Sequence, residues 1–462
     1  MTDTTNSTIF SRRYLLSSVG TTALVGMAGC SGSTETSGDS SGDQEDSGSP
    51  NGDYDSGTIT FGQPAIKTGG LKSIQPPVSL SSTLAKERIN SAGGPLGREI
   101  ELIRRDTGYD PETAREAIDT LVTEDDAVVL NGLTSTTTVP NWNYLRDLGV
   151  PVVTMYAGTR FLDTRGGDNG TPKMTADDGW HWRTVGGDSQ HTAAAAIHAN
   201  RSGVDTVGVL NTTASGSQDW MNAFTDAIDV IDGINTVASM EVASGKDTYE
   251  AELRALFETD FDLFAVAVEE APDTITILNE WDANDYAGKI LLTNPMKNEK
   301  VLSVADRLSE DWVRVAVPAV AGPYAEAFNS QFRQLAEKLP GYRDNLSVNN
   351  WSAAAYDAIT VSALAIQRAG EATPTAVQKN LGPVARPPGR EVHTFAAGKE
   401  ALENGTQIQF TGAQTNVNFT DNGDVFNTAT IWELGDDWQQ QTQIETDAIR
   451  DVVEQVAISK LS

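Results

Sequence analysis

Five hydroxyl side chains in succession, Thr134-Ser135-Thr136-Thr137-Thr138, follow an apolar strand at 127–130 and open a helix. At such a junction hydroxyls and free backbone N–H groups point outward and the helix dipole favours negative charge, so the run suits a carboxylate. The same residues can also do no more than cap the helix. Acid–base and metal chemistry have less to work with. Histidines stand only at 181, 191, 198 and 393, with no His-Glu-x-x-His pair, and the single cysteine, Cys30, permits neither an internal disulfide nor a multi-cysteine metal site. His191 and His198 lie on one helix and read as a partly exposed face rather than a ligand pair. No phosphate-cradling Gly-x-x-x-x-Gly-Lys-Ser/Thr occurs, and no Gly-x-Ser-x-Gly elbow stands between a strand and a helix. No cofactor and no metal are expected.

These side chains depend on alternating elements. A strand at 58–62, a helix at 80–90, a turn at Gly93-Gly94-Pro95-Leu96-Gly97, a strand at 99–103 and a helix opened by Pro111 come first. Strands at 127–130 and 150–154 then bracket a helix carrying Trp142 and Leu145. After Arg183 the pattern repeats, with helices at 189–200, 220–230, 249–258 and 274–283 between strands at 206–210, 235–241, 263–268 and 289–292. Such alternation predicts an α/β fold of two Rossmann-like lobes, each a helix-covered parallel sheet with its ligand site at the carboxyl ends of the strands. Residues 445–456 carry apolar side chains at helical spacing and read as a surface helix packed on a lobe.

The 462 residues hold 33 Lys+Arg against 64 Asp+Glu, a formal charge of −31. A polyanion is repelled by such a surface, which excludes nucleic acid as a partner. At about 100–200 residues per domain the length predicts two or three domains. Lys supplies only 12 of the 33 basic residues. A surface rich in carboxylates and poor in Lys fits a high-salt environment, where screening removes the self-repulsion.

The N-terminus reads Ser11-Arg12-Arg13-Tyr14-Leu15-Leu16, then an uncharged stretch ending Met27-Ala28-Gly29-Cys30. Twin arginines before a short apolar run resemble a Tat export signal, and small residues before a lone cysteine resemble a lipobox, in which Cys30 is lipidated and becomes the mature N-terminus. The run from Tyr14 to Gly29 is shorter than the roughly 20 residues of a spanning helix. Residues 30–57 are Ser, Gly, Thr and acids without a basic residue, a flexible and self-repelling tether. Residues 1–29 thus read as an address, and the folded part as held to a membrane through a lipid anchor.

Several marks occur together and in order: Ala85-Lys86-Glu87-Arg88-Ile89-Asn90-Ser91-Ala92-Gly93-Gly94-Pro95-Leu96-Gly97-Arg98 with Asp106 beyond it, the Gly132-Leu133-Thr134-Ser135-Thr136-Thr137 loop, and Trp182-Arg183-Thr184-Val185-Gly186-Gly187-Asp188-Ser189-Gln190. Tyr356-Asp357-Ala358 and Asn418-Phe419-Thr420-Asp421-Asn422-Gly423-Asp424 follow. With them the chain resembles the type I periplasmic-binding-protein family, in particular the branched-chain amino-acid receptors of ABC importers. The resemblance implies two lobes joined by a three-strand hinge that close over a small ligand. It places lobe one at 57–184 and 318–412, lobe two at 185–317 and 413–440, and a helical tail at 441–462.

By the same resemblance Ser135 is the carboxylate-binding serine, between Thr134 and Thr136. The loop Thr154-Met155-Tyr156-Ala157-Gly158-Thr159 stands where the family contacts amino and carboxylate groups, with Tyr156 replacing a small residue. Ser215-Gly216 stands in place of a Tyr-Gly wall, and Thr293-Asn294-Pro295 where the family's receptors carry the glutamate that holds the ligand ammonium. Glu269 or Glu270 is then available to replace it, since a cation entering a closed cleft needs a partner charge; in so acidic a chain both are also readable as solvated loop carboxylates. Trp180, Trp182 and Trp220 are candidate apolar walls that more often serve as core, and Arg183 is expected to tie the hinge. The expected ligand set is therefore Thr134, Ser135, Thr136, Thr154, Tyr156, Ala157, Gly158, Ser215 and Glu269, with Cys30 lipidated. The resemblance implies a small polar ligand, a branched-chain or other neutral amino acid, and ABC permease subunits as partners. Urea, amides or small carboxylates on the same scaffold, or a sensory module, are the alternatives, whereas a hydrolase lacks a catalytic constellation.

Overall fold

In the computed structural model, residues 57–163, 179–308, 312–339 and 346–460 are described. The twin arginines, Cys30 and the acidic tether up to residue 56 lie outside the described residues. The first run of elements contributes β1 (Ile59–Ala65), β2 (Ile100–Asp106), β3 (Val129–Leu130), β4 (Val152–Thr154) and β5 (His181–Arg183). They form one parallel sheet in the order β2-β1-β3-β4-β5. The second run contributes β6 (Thr206–Thr212), β7 (Asn235–Val242), β8 (Leu263–Ala267), β9 (Lys289–Leu292) and β10 (Val313–Pro318). Their order, β7-β6-β8-β9-β10, repeats that of the first sheet, and every pairing among them is parallel.

The central strands are apolar on both faces because helices cover both. Phe61, Val129 and Val153 join Phe328, Tyr356 and Ile359 in the first core. Val209, Phe224 and Ala265 lie on one side of the second sheet, and Phe264, Leu278 and Ile290 on the other. Helix starts follow local chemistry: Asp110 accepts from the Thr113 N–H at 2.8 Å while Pro111 takes the first helical position. Helix Asn350–Ala369, alanine-rich and buried on nearly every face, packs against helix Gln75–Ser91 at the heart of the first lobe.

β11 (Arg390–Val392) and β12 (Ile408–Phe410) pair in parallel as a small separate sheet. β13 (Ala429–Glu433) then returns antiparallel to β10, and β14 (Gln439–Ile444) extends the second sheet beyond it. The boundary expected at 413 is displaced, because Ala413, Val417, Phe419 and Val425 pack in the first core and the chain joins the second sheet only at β13. Within the described residues, the helical tail expected at 441–462 packs on the second lobe. Its start completes β14, and helix Thr446–Ser459 buries Ile449 and Val452 against helices Asp188–Arg201 and Ser215–Asp229. His191 and His198 are buried rather than partly exposed. His198 stacks on Trp312 and lies 2.8 Å from an Arg314 amino group, and burial followed by that guanidinium lowers its pKa to about 4.

Three crossovers join the lobes, and they bond to one another. Ala319 N–H donates to Thr428 O at 2.8 Å, Gln190 Nε2 to Val425 O at 2.7 Å, and Arg183 N–H to Gly423 O at 3.0 Å. Asp357, fully buried, accepts from the Ala413 and Gln414 N–H groups at 2.7 Å each. A Cβ on Gly412 would lie 2.2 Å from the Asp357 carboxyl carbon, so only glycine lets that strand approach. Arg183, 1 % exposed, pairs with Asp163 and lies 2.8 Å from Asp424. Its guanidinium also donates to Gly158 O and Thr159 O at 3.1 and 3.2 Å. Burial opposes this charge, and Asp424 and Asp163 outweigh burial and hold it ionised. Replacing Arg183 by Met leaves buried carboxylates without a counter-charge, and we expect a loss of about 3–5 kcal/mol in urea unfolding; a loss below about 1 kcal/mol would show the hinge does not rest on this residue.

Candidate functional site

The carboxyl ends of both sheets open onto one cavity of about 440 Å³. The loop after β1 brings Leu71 and Ile74, the loop after β2 Tyr109 and Pro111, and the loop after β3 Thr134, Ser135 and Thr136. The first crossover adds Val185, Gly186 and Asp188, and the ends of β6, β8 and β9 add Ser215 and Gly216, Glu269, and Asn294 and Pro295. That convergence is what two doubly wound sheets produce when their switch points face each other. A volume of this size falls within the roughly 300–1,000 Å³ of small-ligand sites. A larger space of about 800 Å³ lies behind it, against the hinge and helix Thr446–Ser459, and the strand-end loops after β3 and β8 do not reach it.

On the first-lobe wall the hydroxyl run divides its work. Thr134 and Thr137 close a capping box, Thr134 Oγ1 accepting from Thr137 N–H at 3.3 Å and Thr137 Oγ1 from Thr134 N–H at 2.9 Å. The helix so capped is a single turn, Ser135–Thr138, so the expected dipole is small and the hydroxyls are the donors left at this wall. Ser135 Oγ accepts from the Thr159 N–H at 3.2 Å, which leaves its proton to donate into the cavity. Thr136 shares a hydrogen bond with the Tyr109 phenol, which burial and then Glu269 push up to about 12.

The next loop departs from expectation in two places. Thr154 does not line the cavity: its hydroxyl donates to Leu133 O at 2.7 Å and accepts from the Tyr156 and Ala157 N–H groups at 3.0 and 3.1 Å, which shapes the loop. Ala157 is fully buried with Trp142 and Leu162 and does not reach the cavity either. Tyr156 does line it, as a ring whose hydroxyl is engaged with Gln75 Oε1 at 2.9 Å. Gly158 lines it as backbone, and a Cβ there would lie 2.2 Å from Asp188 Oδ1.

The opposite wall is acidic. Ser215 and Gly216 open helix Ser215–Asp229, and a Cβ on Gly216 would lie 2.1 Å from the Glu269 carboxylate. Glu269 is half-buried and among the described residues has neither a hydrogen bond nor an ion pair, and its pKa is pushed up to about 8, first by burial and then by Asp188, Glu270 and Asp219. Glu270 is exposed and lies outside the lining. Asp188 lies 2.8 Å from His191 Nε2. Asp219 Oδ2 accepts from Thr159 Oγ1 at 2.7 Å and Arg160 N–H at 3.0 Å, which draws the two lobes together. Among the described residues no Lys or Arg lines the cavity. Two buried polar atoms of the lining have no partner, Asn350 Nδ2 and His191 Nδ1.

Of the nine expected ligand residues, Thr134, Ser135, Thr136, Tyr156, Gly158, Ser215 and Glu269 meet at this cavity. The tryptophans at 180, 182 and 220 do not: Trp182 packs edge-on against Phe419 and Trp220 stacks on Phe224. Apolar walls come instead from Tyr109, Phe161 and Trp351. Asp188, Asp219 and Asn350 also belong to the lining; Asp188 lies in the Trp182–Gln190 stretch without being singled out, and Asp219 and Asn350 carry no motif that sets them apart. Tyr109 did leave a local trace, since Gly108-Tyr109-Asp110 is turn chemistry and its φ of 58° turns the ring out of the strand direction.

Two like-wound sheets, three crossovers and a ligand-sized cleft between switch points define a two-lobed binding protein of the type I periplasmic kind. A family model described as Periplasmic binding protein matches residues 58–424, and the chain belongs to that family, which is one of ligand-binding proteins rather than enzymes. The chain is 26% identical over 380 residues to a protein of Halobacterium salinarum described as the chemotactic signal transduction system substrate-binding protein BasB, covering 78% of this chain and 84% of that one. Among solved structures, the leucine binding protein LivK of Thermotoga maritima superposes with a TM-score of 0.67 at 18% identity, over 84% of this chain and 99% of its own. LivJ of Streptococcus pneumoniae in complex with isoleucine gives 0.61 at 18% identity, over 83% and 100%. These structures share the fold. Among the described residues no helix is long and apolar enough to cross a membrane, and no group of three or more His, Cys, Asp or Glu could hold a metal ion.

A carboxyl raised from 4.5 to about 8 has a definite effect on stability. The unfolded chain ionises first, so the contribution of Glu269 is fully present below pH 4.5 and is lost as pH rises through 8. Glu269→Gln should therefore raise the Tm of the ligand-free protein more at pH 9 than at pH 5 by circular dichroism, and an equal change at both would contradict this.

Proposed function

We propose that this chain is an extracytoplasmic receptor that closes over a free amino acid and delivers it to a membrane partner, an ABC permease. The observation that carries the reading is the polarity of the cavity, with the Ser135 hydroxyl turned inward on one wall and the unpaired Glu269 carboxylate on the other. A carboxylate accepts from Ser135 and from the unpartnered Asn350 amide. An ammonium faces Glu269, and the apolar part of the ligand lies against Tyr109, Phe161 and Trp351. Both lobes then contribute to one ligand, so binding favours the closed arrangement. The similar structures described as binding leucine or isoleucine support an amino acid over urea or an amide. Lipidation at Cys30, an acidic surface suited to high salt, and lobes divided near 184, 318 and 425 complete the proposal.

Calorimetry with a free amino acid and its N-acetyl analogue tests it. The acetylated form, without an ammonium, should bind at least about tenfold more weakly. Ser135→Ala should cost about tenfold in affinity for the free form, as one hydrogen bond to a charged group is worth roughly 1.5–3 kcal/mol. Equal binding of both forms would instead mark a receptor for amides or carboxylates.

A second reading is favoured by the Halobacterium relative, whose description assigns it to chemotactic signal transduction. There the membrane partner is a signal transducer and the ligand is sensed rather than imported. Deleting the gene should abolish uptake of the radiolabelled ligand if the partner is a permease. Intact uptake with a lost chemotactic response would favour the transducer.

A further inference from the structure

We infer that the cavity selects amino acids with a cationic side chain over neutral ones, the second positive charge lying at the unused oxygen of Asp219. The inference rests on the amino-acid reading above and concerns the part of the cavity that reading leaves unbalanced.

The charge census points there. Asp188, Asp219 and Glu269 line the cavity, and among the described residues no Lys or Arg does. Asp188 lies 2.8 Å from His191, and Arg160, engaged by Asp226, acts on Asp219 from outside the lining, so Asp219 and Glu269 face the cleft with no cation among the described lining residues. The α-ammonium of a neutral amino acid matches one of them, while its α-carboxylate goes to Ser135 and Asn350 and adds no positive charge. A neutral ligand thus closes the lobes over one carboxylate that has lost water and gained no counter-charge, which is costly. A ligand with two cationic groups and one carboxylate balances the site.

Geometry assigns the second position. Asp219 uses only Oδ2 for Thr159 and Arg160, and Oδ1 receives no hydrogen bond. Asp219 and Glu269 belong to different elements, helix Ser215–Asp229 and the loop after β8, so two ammonium groups can be matched separately. Burial and then Asp188 push the Asp219 pKa up against the opposing Arg160, and Glu269 is raised by both neighbours, as expected of carboxylates crowded together. Tyr109, Tyr156, Phe161 and Trp351 line the same cavity, and aromatic faces accept the alkyl stem and the cationic end of such a side chain.

L-lysine and L-norleucine share a carbon chain and differ by the ε-ammonium, so the pair isolates the second charge. Calorimetry on the full chain in buffered molar salt should give lysine at least about tenfold tighter than norleucine. In Asp219→Asn, whose amide oxygen still accepts from Thr159 and Arg160, the ratio should fall to about one. Norleucine binding as tightly as lysine to the unmodified protein would overturn the inference, and so would a ratio untouched by Asp219→Asn or a variant that weakens both ligands equally. If norleucine binds and depends on Ser135 while lysine gains nothing, the amino-acid reading stands and only the cation selection fails. If neither binds, both fail.

Discussion

The structure turns on a buried guanidinium. Arg183 ends the last strand of the first sheet, and its partners come from everything the hinge must align: Asp163, Asp424 beside the third crossover, and the carbonyls of Gly158 and Thr159 in the cavity wall. A planar fork of donors can meet several acceptors at fixed angles, which an ammonium cannot. Its environment holds the charge by placing two carboxylates against it, one of them on the third crossover, so the ion cluster exists only when that crossover is packed against the first lobe. Through Thr159, which also donates to Ser135 and Asp219, the cluster reaches the ligand-facing hydroxyl and the acidic wall in one step.

That linkage explains why the cleft can be so unbalanced. The same helix that supplies Asp219 to the cavity supplies Asp226 to an ion pair with Arg160, so the first-lobe loop is gripped at two levels of one helix face. Lobe contact therefore does not require a ligand to hold it, and the cavity is free to keep carboxylates that only a ligand can match. Asp357 plays the comparable part on the other side, receiving two backbone N–H groups and demanding a glycine at 412.

Much of this was legible beforehand. The alternating apolar runs gave both sheets, because a parallel strand buried on both faces leaves a short, continuous apolar signature. Ser135 and Glu269 were legible as chemistry at strand ends. Thr154 and Ala157 sat in the right loop but turned away, since which atoms of a loop face a cleft depends on hydrogen bonds such as Thr154 to Leu133 that no local pattern records. Trp351 was missed for the opposite reason. It belongs to a helix far along the chain, and only packing against the first lobe brings it to the cavity.

Sequence alone determined the two α/β lobes, the crossover arginine and the hydroxyl run, because periodicity, turn residues and caps act over a few residues. Tertiary structure decided the charge of the site. The carboxylates at 188, 219 and 269 belong to a chain with 64 acids, and only the fold brings them to one cleft that, among the described residues, no lysine or arginine lines. Desolvation is a property of the assembled surroundings, and it turned part of a general surface charge into one wall of a cleft.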